Sequence, residues 1–167
     1  MIARDVMRRY VVTASESETI SEVADKLAKH RTSGLPVVNS RDELVGMISE
    51  SDIIKRFTST ITGTSGRKLL TSLAHSLDLL DTLRKEDYQK GEKLFSRLRH
   101  TPVSEVMTKK IVAASPMDTI QRVAGLMTEH NVNRVPIIDE GKLIGIVGRT
   151  DVVRRVQSMD MTTTPKV

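Results

Sequence analysis

Two aspartates stand where the sequence can most readily support ligand chemistry. Asp52 and Asp151 each follow a short apolar run, at a point where a predicted β-strand leads into a predicted helix. A helix N-terminus presents free backbone N–H groups and a partial positive charge, which together favour an anion. A carboxylate there can accept two hydrogen bonds at once, as from two adjacent hydroxyl groups of a ligand. Ser49 and Ser51 add hydroxyls beside Asp52.

The same residues also have a purely structural explanation. Ser49-x-x-Asp52 is close to a helix capping box, and a cap alone stabilises by about 0.5–2 kcal/mol. Spacing by itself favours the cap. Near Asp151 the serine is replaced by Gly148, which removes a hydroxyl, although Thr150 remains beside the aspartate. A glycine also permits close approach of a ligand to the backbone, so this replacement leaves both interpretations open.

The two aspartates occupy equivalent positions in an internal repeat. The register holds at a spacing of 100 residues and becomes 99 after one residue drops out of a polar turn. Two copies of one folding unit would tolerate such a gap, so the repeat determines the fold prediction. The matched pairs include Val6-Met7 and Val106-Met107, Pro36 and Pro136, Gly46 and Gly145, and Asp52 and Asp151.

Each copy predicts the element order β-α-β-β-α. The first helix has Thr19 as its N-cap and Glu22 three residues later, which is a capping box. Apolar residues then recur at helical spacing, and continuous apolar runs indicate buried strands. The predicted strands are residues 11–12, 35–38 and 44–48 in the first copy and 111–112, 135–138 and 143–147 in the second, with final helices starting near Asp52 and Asp151.

This repeat resembles the CBS (cystathionine β-synthase) domain. The resemblance rests on Leu35-Pro36-Val37-Val38 with the run from Gly46 to Asp52, and on Val135-Pro136-Ile137-Ile138 with the run from Gly145 to Asp151. It implies an α/β (α+β) fold with two repeats packed as a pseudo-two-fold pair. The predicted domains are residues 1–57 and 102–157, separated by a helical insert at 58–101 and followed by a tail at 158–167.

The resemblance implies a regulatory ligand that contains adenosine, with AMP, ADP or ATP favoured, bound in the cleft between the copies. Asp52 and Asp151 would hold its ribose, and Arg134 would reach its phosphates, unless Arg134 is an ordinary surface arginine. The first copy has Gly34 in place of Arg134, so the second site is favoured for a phosphorylated ligand. The other candidate ligand residues are Ser49, Ser51, Thr150, Val12, Thr13, Val112, Ala113, Ala114, Val135, Pro136, Ile146, His30 and His130.

Several of these candidates have equally simple alternatives. The apolar segments around Val12 and Val112 would make a sound core without any ligand. His30 and His130 are explained as C-terminal helix residues favoured by the helix dipole. A metal site is disfavoured, since the four histidines lack an i, i+4 pair and the chain has no cysteine. No catalytic motif is present, so neither an enzyme nor a catalytic cofactor is expected.

A net charge of +5 raises the question of nucleic acid binding. Residues 1–57 carry equal numbers of basic and acidic side chains, and the chain has only two tyrosines and two phenylalanines. Nucleic acid is therefore disfavoured, although a nucleic-acid-associated or scaffold role through the basic insert stays an alternative, as does an S-adenosylmethionine sensor.

The insert is predicted to contain a loop at 58–67, a leucine-rich helix from Leu70 to Arg84, and a second helix with Leu94, Phe95 and Leu98 that ends before Pro102. Its apolar face would pack on its own repeats or at an interface, and the resemblance implies a homodimer. No signal peptide or membrane span is predicted, so a cytoplasmic location is expected. The regulated partner is expected to be a separate chain.

Overall fold

The computed structural model describes residues 1–62, 92–93 and 95–159. The first repeat shows the predicted order β-α-β-β-α. In chain order the elements are α1 (Ala3–Val6), β1 (Ala14–Ser15), α2 (Ile20–Lys29), β2 (Gly34–Val38), β3 (Leu44–Ser49), α3 (Glu50–Thr62), a 3-10 turn (Val103–Glu105), α4 (Ile120–Glu129), β4 (Arg134–Asp139), β5 (Lys142–Gly148) and α5 (Arg149–Met159).

The first strand of each repeat lies later than the sequence predicts. The predicted strands at 11–12 and 111–112 are wrong, because β1 covers Ala14–Ser15 and Ala114 forms an isolated parallel bridge with Ile137. The Ala114 N–H donates to the carbonyl oxygen of Pro136 at 3.0 Å, and the Ile138 N–H donates to that of Ala114 at 2.9 Å. β-Branched residues favour an extended backbone whether or not it is paired in a sheet. Residues 11–12 and 111–112 therefore precede the paired strand residues and do not belong to them.

The described residues form two compact units. Unit A combines Met1–Thr13 and Val38–Val45 with the described residues from Lys109 onward. Unit B combines Ala14–Val37 with the described residues of Gly46–Thr108. Each unit therefore contains most of one repeat together with the segment that opens the other repeat in sequence.

The first long helix of each repeat has a side-chain cap at its N-terminus. The Thr19 hydroxyl accepts the Glu22 N–H at 3.3 Å, and the Glu22 carboxylate accepts the Thr19 N–H at 2.7 Å, which confirms the predicted capping box. In α4 the Thr119 hydroxyl accepts the Arg122 N–H at 3.2 Å. An arginine cannot return the second hydrogen bond, so only α2 has the reciprocal arrangement.

Each unit buries the apolar faces that the helical and strand spacing predict. In unit A, α4 packs on β4 and β5 together with Ala3 of α1. Its core consists of Ala3, Ala114, Val123, Met127, Val135, Ile137 and Val147. The buried apolar residues of unit B include Ala14, Ile20, Val23, Leu27, Leu35, Val37, Ile48, Leu98 and Val103.

A methionine and a glycine pack together in each unit. A Cβ added to Gly145 would lie 2.5 Å from the Met7 Sδ and 2.8 Å from its Cγ. At the equivalent position, a Cβ on Gly46 would lie 2.5 Å from the Met107 Sδ. These distances are far inside van der Waals contact, so each methionine occupies the space that a larger residue on the strand would fill.

Helix α3 extends into the segment predicted as a loop. Residues 58–62 belong to this helix, so the loop prediction is wrong for them, and residues 63–67 lie outside the described part of the chain. The hydroxyls of Thr58 and Thr60 each donate at 2.8 Å to a backbone carbonyl four residues earlier, Ile54 and Arg56. The two hydroxyls are thus bonded within the helix, although such residues generally favour caps and turns over helix interiors.

The insert is only partly described. The predicted helix from Leu70 to Arg84 and Leu94 lie outside the described residues. Residues 95–99 are helical, and this helix ends before Pro102 as predicted. Leu98 is buried. Within the described ranges, no helix has the length and apolarity needed to span a bilayer.

Replacing Gly145 with alanine should destabilise unit A, because the new methyl group and the Met7 side chain would compete for one space. The expected loss in the free energy of unfolding is about 1–3 kcal/mol, as for other overpacked cores. Gly125 is the matched control, since a Cβ there has nothing within 4 Å. Gly125→Ala should stabilise α4 by about 1 kcal/mol in the same urea denaturation. Equal effects of the two substitutions would contradict the packing argument.

The capping box of α2 should make part of the stability depend on pH. Hydrogen bonds from the backbone and side chain of Thr19 lower the pKa of Glu22 below its usual value of 4.5. Because the folded pKa is the lower one, the carboxylate contributes stability above 4.5 that is lost as pH falls through the folded value. Glu22→Ala should therefore lower the melting temperature at neutral pH, with a difference that shrinks in acid. A difference for Glu22→Ala that is constant with pH would refute this origin.

Candidate ligand-binding site

Asp151 lies where β5 leads into α5 in unit A. The strand ends at Gly148, the helix begins at Arg149, and Asp151 is in its first turn. Its Oδ2 accepts the Gly148 N–H at 2.9 Å, so one carboxylate oxygen caps the helix. The side chain is 11% exposed. The cap engages Oδ2 and leaves Oδ1 for another partner.

That partner is Arg8, which the sequence-based prediction missed. Its Nε and a terminal guanidinium nitrogen donate to the Asp151 Oδ1 at 3.1 and 2.7 Å. The same terminal nitrogen lies 3.5 Å from the Thr150 Oγ1. The Arg8 side chain is 57% exposed, so this ion pair borders solvent. The repeat register makes Arg8 and Thr108 equivalent, but it does not indicate that either residue contacts an aspartate.

Other predicted residues of the second copy lie beside this junction. Strand pairing sets Arg134 opposite Gly148 and Pro136 opposite Ile146, and the Arg149 N–H donates to the Asn133 carbonyl oxygen at 3.1 Å. The structure therefore brings Arg134, Gly148 and Asp151 together within one unit. Arg134 is half-buried and already has an interaction within the protein.

The predicted apolar walls divide between core and partly exposed positions. Val135 and Pro136 are fully buried, and Ala114 is 5% exposed, so their side chains belong to the core of unit A. Val112, Ala113 and Ile146 are half-buried. Only the half-buried residues have surface to offer a ligand.

Asp52 repeats the arrangement in unit B. Its Oδ2 accepts the Ser49 N–H at 2.9 Å and the Ser49 hydroxyl, and the Asp52 N–H donates to the Ser49 Oγ at 3.3 Å. Its Oδ1 accepts the Thr108 hydroxyl at 3.3 Å. The capping box is therefore present, and Oδ1 again has a side-chain partner. Ser51 is exposed.

The remaining predicted residues lie elsewhere. Val12 and Thr13 are grouped with unit A, whereas Ser49, Ser51 and Asp52 belong to unit B. His30 and His130 are the exposed C-cap residues of α2 and α4, as the alternative interpretation predicts. No group of three or more metal-ligating side chains occurs among the described residues.

The segment before each junction is held by backbone hydrogen bonds. Arg8 and Ile146 exchange N–H···O bonds of 2.9 and 3.0 Å, and Thr108 and Met47 exchange bonds of 2.8 and 3.0 Å. Residues 8 and 108 are thus placed alike, and their side chains decide what faces each aspartate. The two junctions differ mainly in charge, because Arg8 neutralises Asp151 whereas Thr108 offers Asp52 a neutral hydroxyl.

Comparison with known proteins identifies the repeat. The family model described as the CBS domain matches residues 3–59 and 103–158, which correspond to the two copies. An uncharacterized protein of Methanocaldococcus jannaschii is 37% identical over 159 residues, which cover 92% of this chain and 89% of that protein.

Solved structures show the same fold. The structure of CBSX2 in complex with AMP has a TM-score of 0.67 at 21% identity and covers 96% of this chain and 98% of its own. The CBS domain pair of protein MJ0100, in complex with 5′-methylthioadenosine and S-adenosyl-L-methionine, has a TM-score of 0.68 at 22% identity, with coverages of 95% and 98%. These similarities confirm the predicted α/β fold of two CBS repeats.

Proposed function

The chain belongs to the CBS domain family, and we propose on this premise that it is a regulatory module that binds an adenosine-containing ligand through Asp151 and Asp52. One observation carries the proposal. Each aspartate has Oδ2 bonded to the backbone N–H three residues earlier, while Oδ1 is bonded to a side chain that can rotate away. Oδ1 can therefore accept ribose hydroxyls without loss of the helix cap.

The junction of unit A also suits the phosphate of a nucleotide. The N-terminus of α5 provides the partial positive charge of a helix end, although its first N–H, that of Arg149, donates to the Asn133 carbonyl oxygen. Arg134 lies across the strand pair from Gly148, and a guanidinium can bind phosphate through two parallel hydrogen bonds. These features support AMP, ADP or ATP as the ligand of the second repeat, with S-adenosylmethionine as the alternative.

The ligands of the structural neighbours share one chemical group. CBSX2 was solved with AMP, and the MJ0100 domain pair with 5′-methylthioadenosine and S-adenosyl-L-methionine, all of which contain adenosine. A ribose diol is common to them, whereas the group at the 5′ position varies in charge. This pattern supports an aspartate that binds the constant ribose and separate residues that select the variable group.

Regulation requires that the ligand bind two states of the module with different affinities. The change of state on ligand binding would then alter a regulated protein. Catalysis by this chain is not part of the proposal. Homodimer formation and a cytoplasmic location stay predictions. The alternative role through the basic insert depends largely on residues outside the described ranges.

Asp151→Ala should weaken AMP binding by about 10-fold or more, because charge-assisted hydrogen bonds to the ribose are lost. Isothermal titration at near-physiological salt measures this. Asp139→Ala is the matched control, since it removes another Arg–Asp pair of unit A, with Arg4 at 3.3 Å, away from the junction. The control should bind AMP like the unchanged chain. Unchanged affinity in Asp151→Ala, with the fold checked by thermal melting, would remove Asp151 from the site.

Arg134→Ala should weaken AMP and ATP much more than adenosine, since adenosine has no phosphate for the guanidinium. Competition titrations against one nucleotide give the three affinities on one scale. Arg122→Ala serves as the control because Arg122 is exposed on α4, where it pairs with Asp118 at 3.2 Å. Equal losses for all three ligands in Arg134→Ala would show that Arg134 does not contact phosphate.

A further inference from the structure

We propose that Arg8 selects the charge of the ligand in the second repeat, so that the Asp151 site prefers anionic adenosine ligands over neutral or cationic ones. Thr108 imposes no such selection at the Asp52 site. This inference rests on the proposed function, because it names the charge class of ligand that one of the two sites accepts.

Backbone hydrogen bonds and the packing of the preceding residue fix the position of Arg8 in unit A. Its N–H and C=O are both bonded to Ile146, and the preceding Met7 is packed against Gly145. Thr108 has the same two backbone bonds with Met47, and Met107 is packed against Gly46. Two different side chains thus project from equivalent backbone positions onto equivalent aspartates. The contrast between the sites lies in residue type.

The side chain of Arg8 occupies the oxygen that a ribose would need. Two of its N–H groups donate to the Asp151 Oδ1, at 2.7 and 3.1 Å. A ribose hydroxyl that bonds to Oδ1 must compete with this guanidinium. A ligand therefore replaces a charge-assisted contact and leaves a cation that needs a new partner.

The charge of the ligand determines whether Arg8 gains a new anionic partner when the ribose replaces it at Asp151. A phosphate supplies a new anionic partner for Arg8, and guanidinium binds phosphate in the same forked geometry as carboxylate. A neutral 5′ group supplies no counter-charge. A sulfonium group places a second positive charge close to Arg8. Anionic ligands should therefore bind best and cationic ligands worst.

At Asp52 the corresponding exchange involves no charge. The Thr108 hydroxyl donates to Oδ1 at 3.3 Å, and a ribose hydroxyl would replace it with a bond of the same kind. The released threonine can bond to water without an unpaired charge. The Asp52 site should therefore accept neutral adenosine ligands more readily than the Asp151 site does.

A purely structural role for Arg8 predicts a different outcome. With a side chain 57% exposed, the ion pair borders solvent, where such pairs contribute little to stability. A structural contact would also affect all ligands equally when removed. The ratio of affinities for two ligands of different charge therefore distinguishes selection of ligand charge by Arg8 from a purely structural role.

The test exchanges the two side chains and measures ligand preference. AMP, 5′-methylthioadenosine and S-adenosylmethionine are titrated into the unchanged chain, Arg8→Thr, Thr108→Arg and the control Arg9→Thr. Arg9 is the exposed neighbour of Arg8, so its substitution removes the same charge. Arg8→Thr should lower the preference for AMP over 5′-methylthioadenosine by about 10-fold, the size expected for one charge-assisted hydrogen bond. Thr108→Arg should raise that preference, and Arg9→Thr should leave it unchanged.

Each other outcome overturns a defined part of the account. If the unchanged chain binds none of the three ligands, the proposed function fails and this inference fails with it. If AMP binds but Arg8→Thr leaves the ratio of affinities unchanged, or weakens all ligands equally, only the role of Arg8 is refuted. Should Arg8→Thr fail to fold, Thr108→Arg decides alone, and an unchanged ratio there refutes the inference.

Discussion

In both units a methionine occupies the space beside a strand glycine, and the arrangement of each candidate site depends on this contact. Met7 packs against Gly145 and Met107 against Gly46, with 2.5 Å between the sulfur and the position of a Cβ on the glycine. The contact brings the opening segment of one repeat against the strand that leads into the aspartate helix of the other. Backbone hydrogen bonds to Ile146 and Met47 then place Arg8 and Thr108 beside the two aspartates.

The aspartates show how one carboxylate can serve both the fold and a ligand. Oδ2 accepts the backbone N–H of Gly148 or Ser49, so the cap that Ser-x-x-Asp spacing predicts is present. A cap of this kind stabilises by about 0.5–2 kcal/mol and requires one oxygen. Oδ1 stays with a side-chain partner that a ligand can replace. The structural and functional interpretations of the motif are therefore compatible.

Local patterns in the sequence predict most of the fold. The capping box of Thr19 and Glu22 and the apolar runs of the hairpin strands depend on neighbouring residues, and the structure confirms them. The sequence wrongly predicts a loop at residues 58–62, where the hydroxyls of Thr58 and Thr60 bond back to the helix instead of forming a turn. The contact between Arg8 and Asp151 joins residues 143 positions apart, and no local pattern reports such a pairing.

A crystal structure of the chain with AMP would show whether the aspartates hold the ribose. We expect ribose hydroxyls bonded to the Asp151 Oδ1, the Gly148 N–H still bonded to Oδ2, and the Arg8 guanidinium turned from the carboxylate to the phosphate. AMP bound away from both aspartates, with the Arg8–Asp151 ion pair intact, would contradict it.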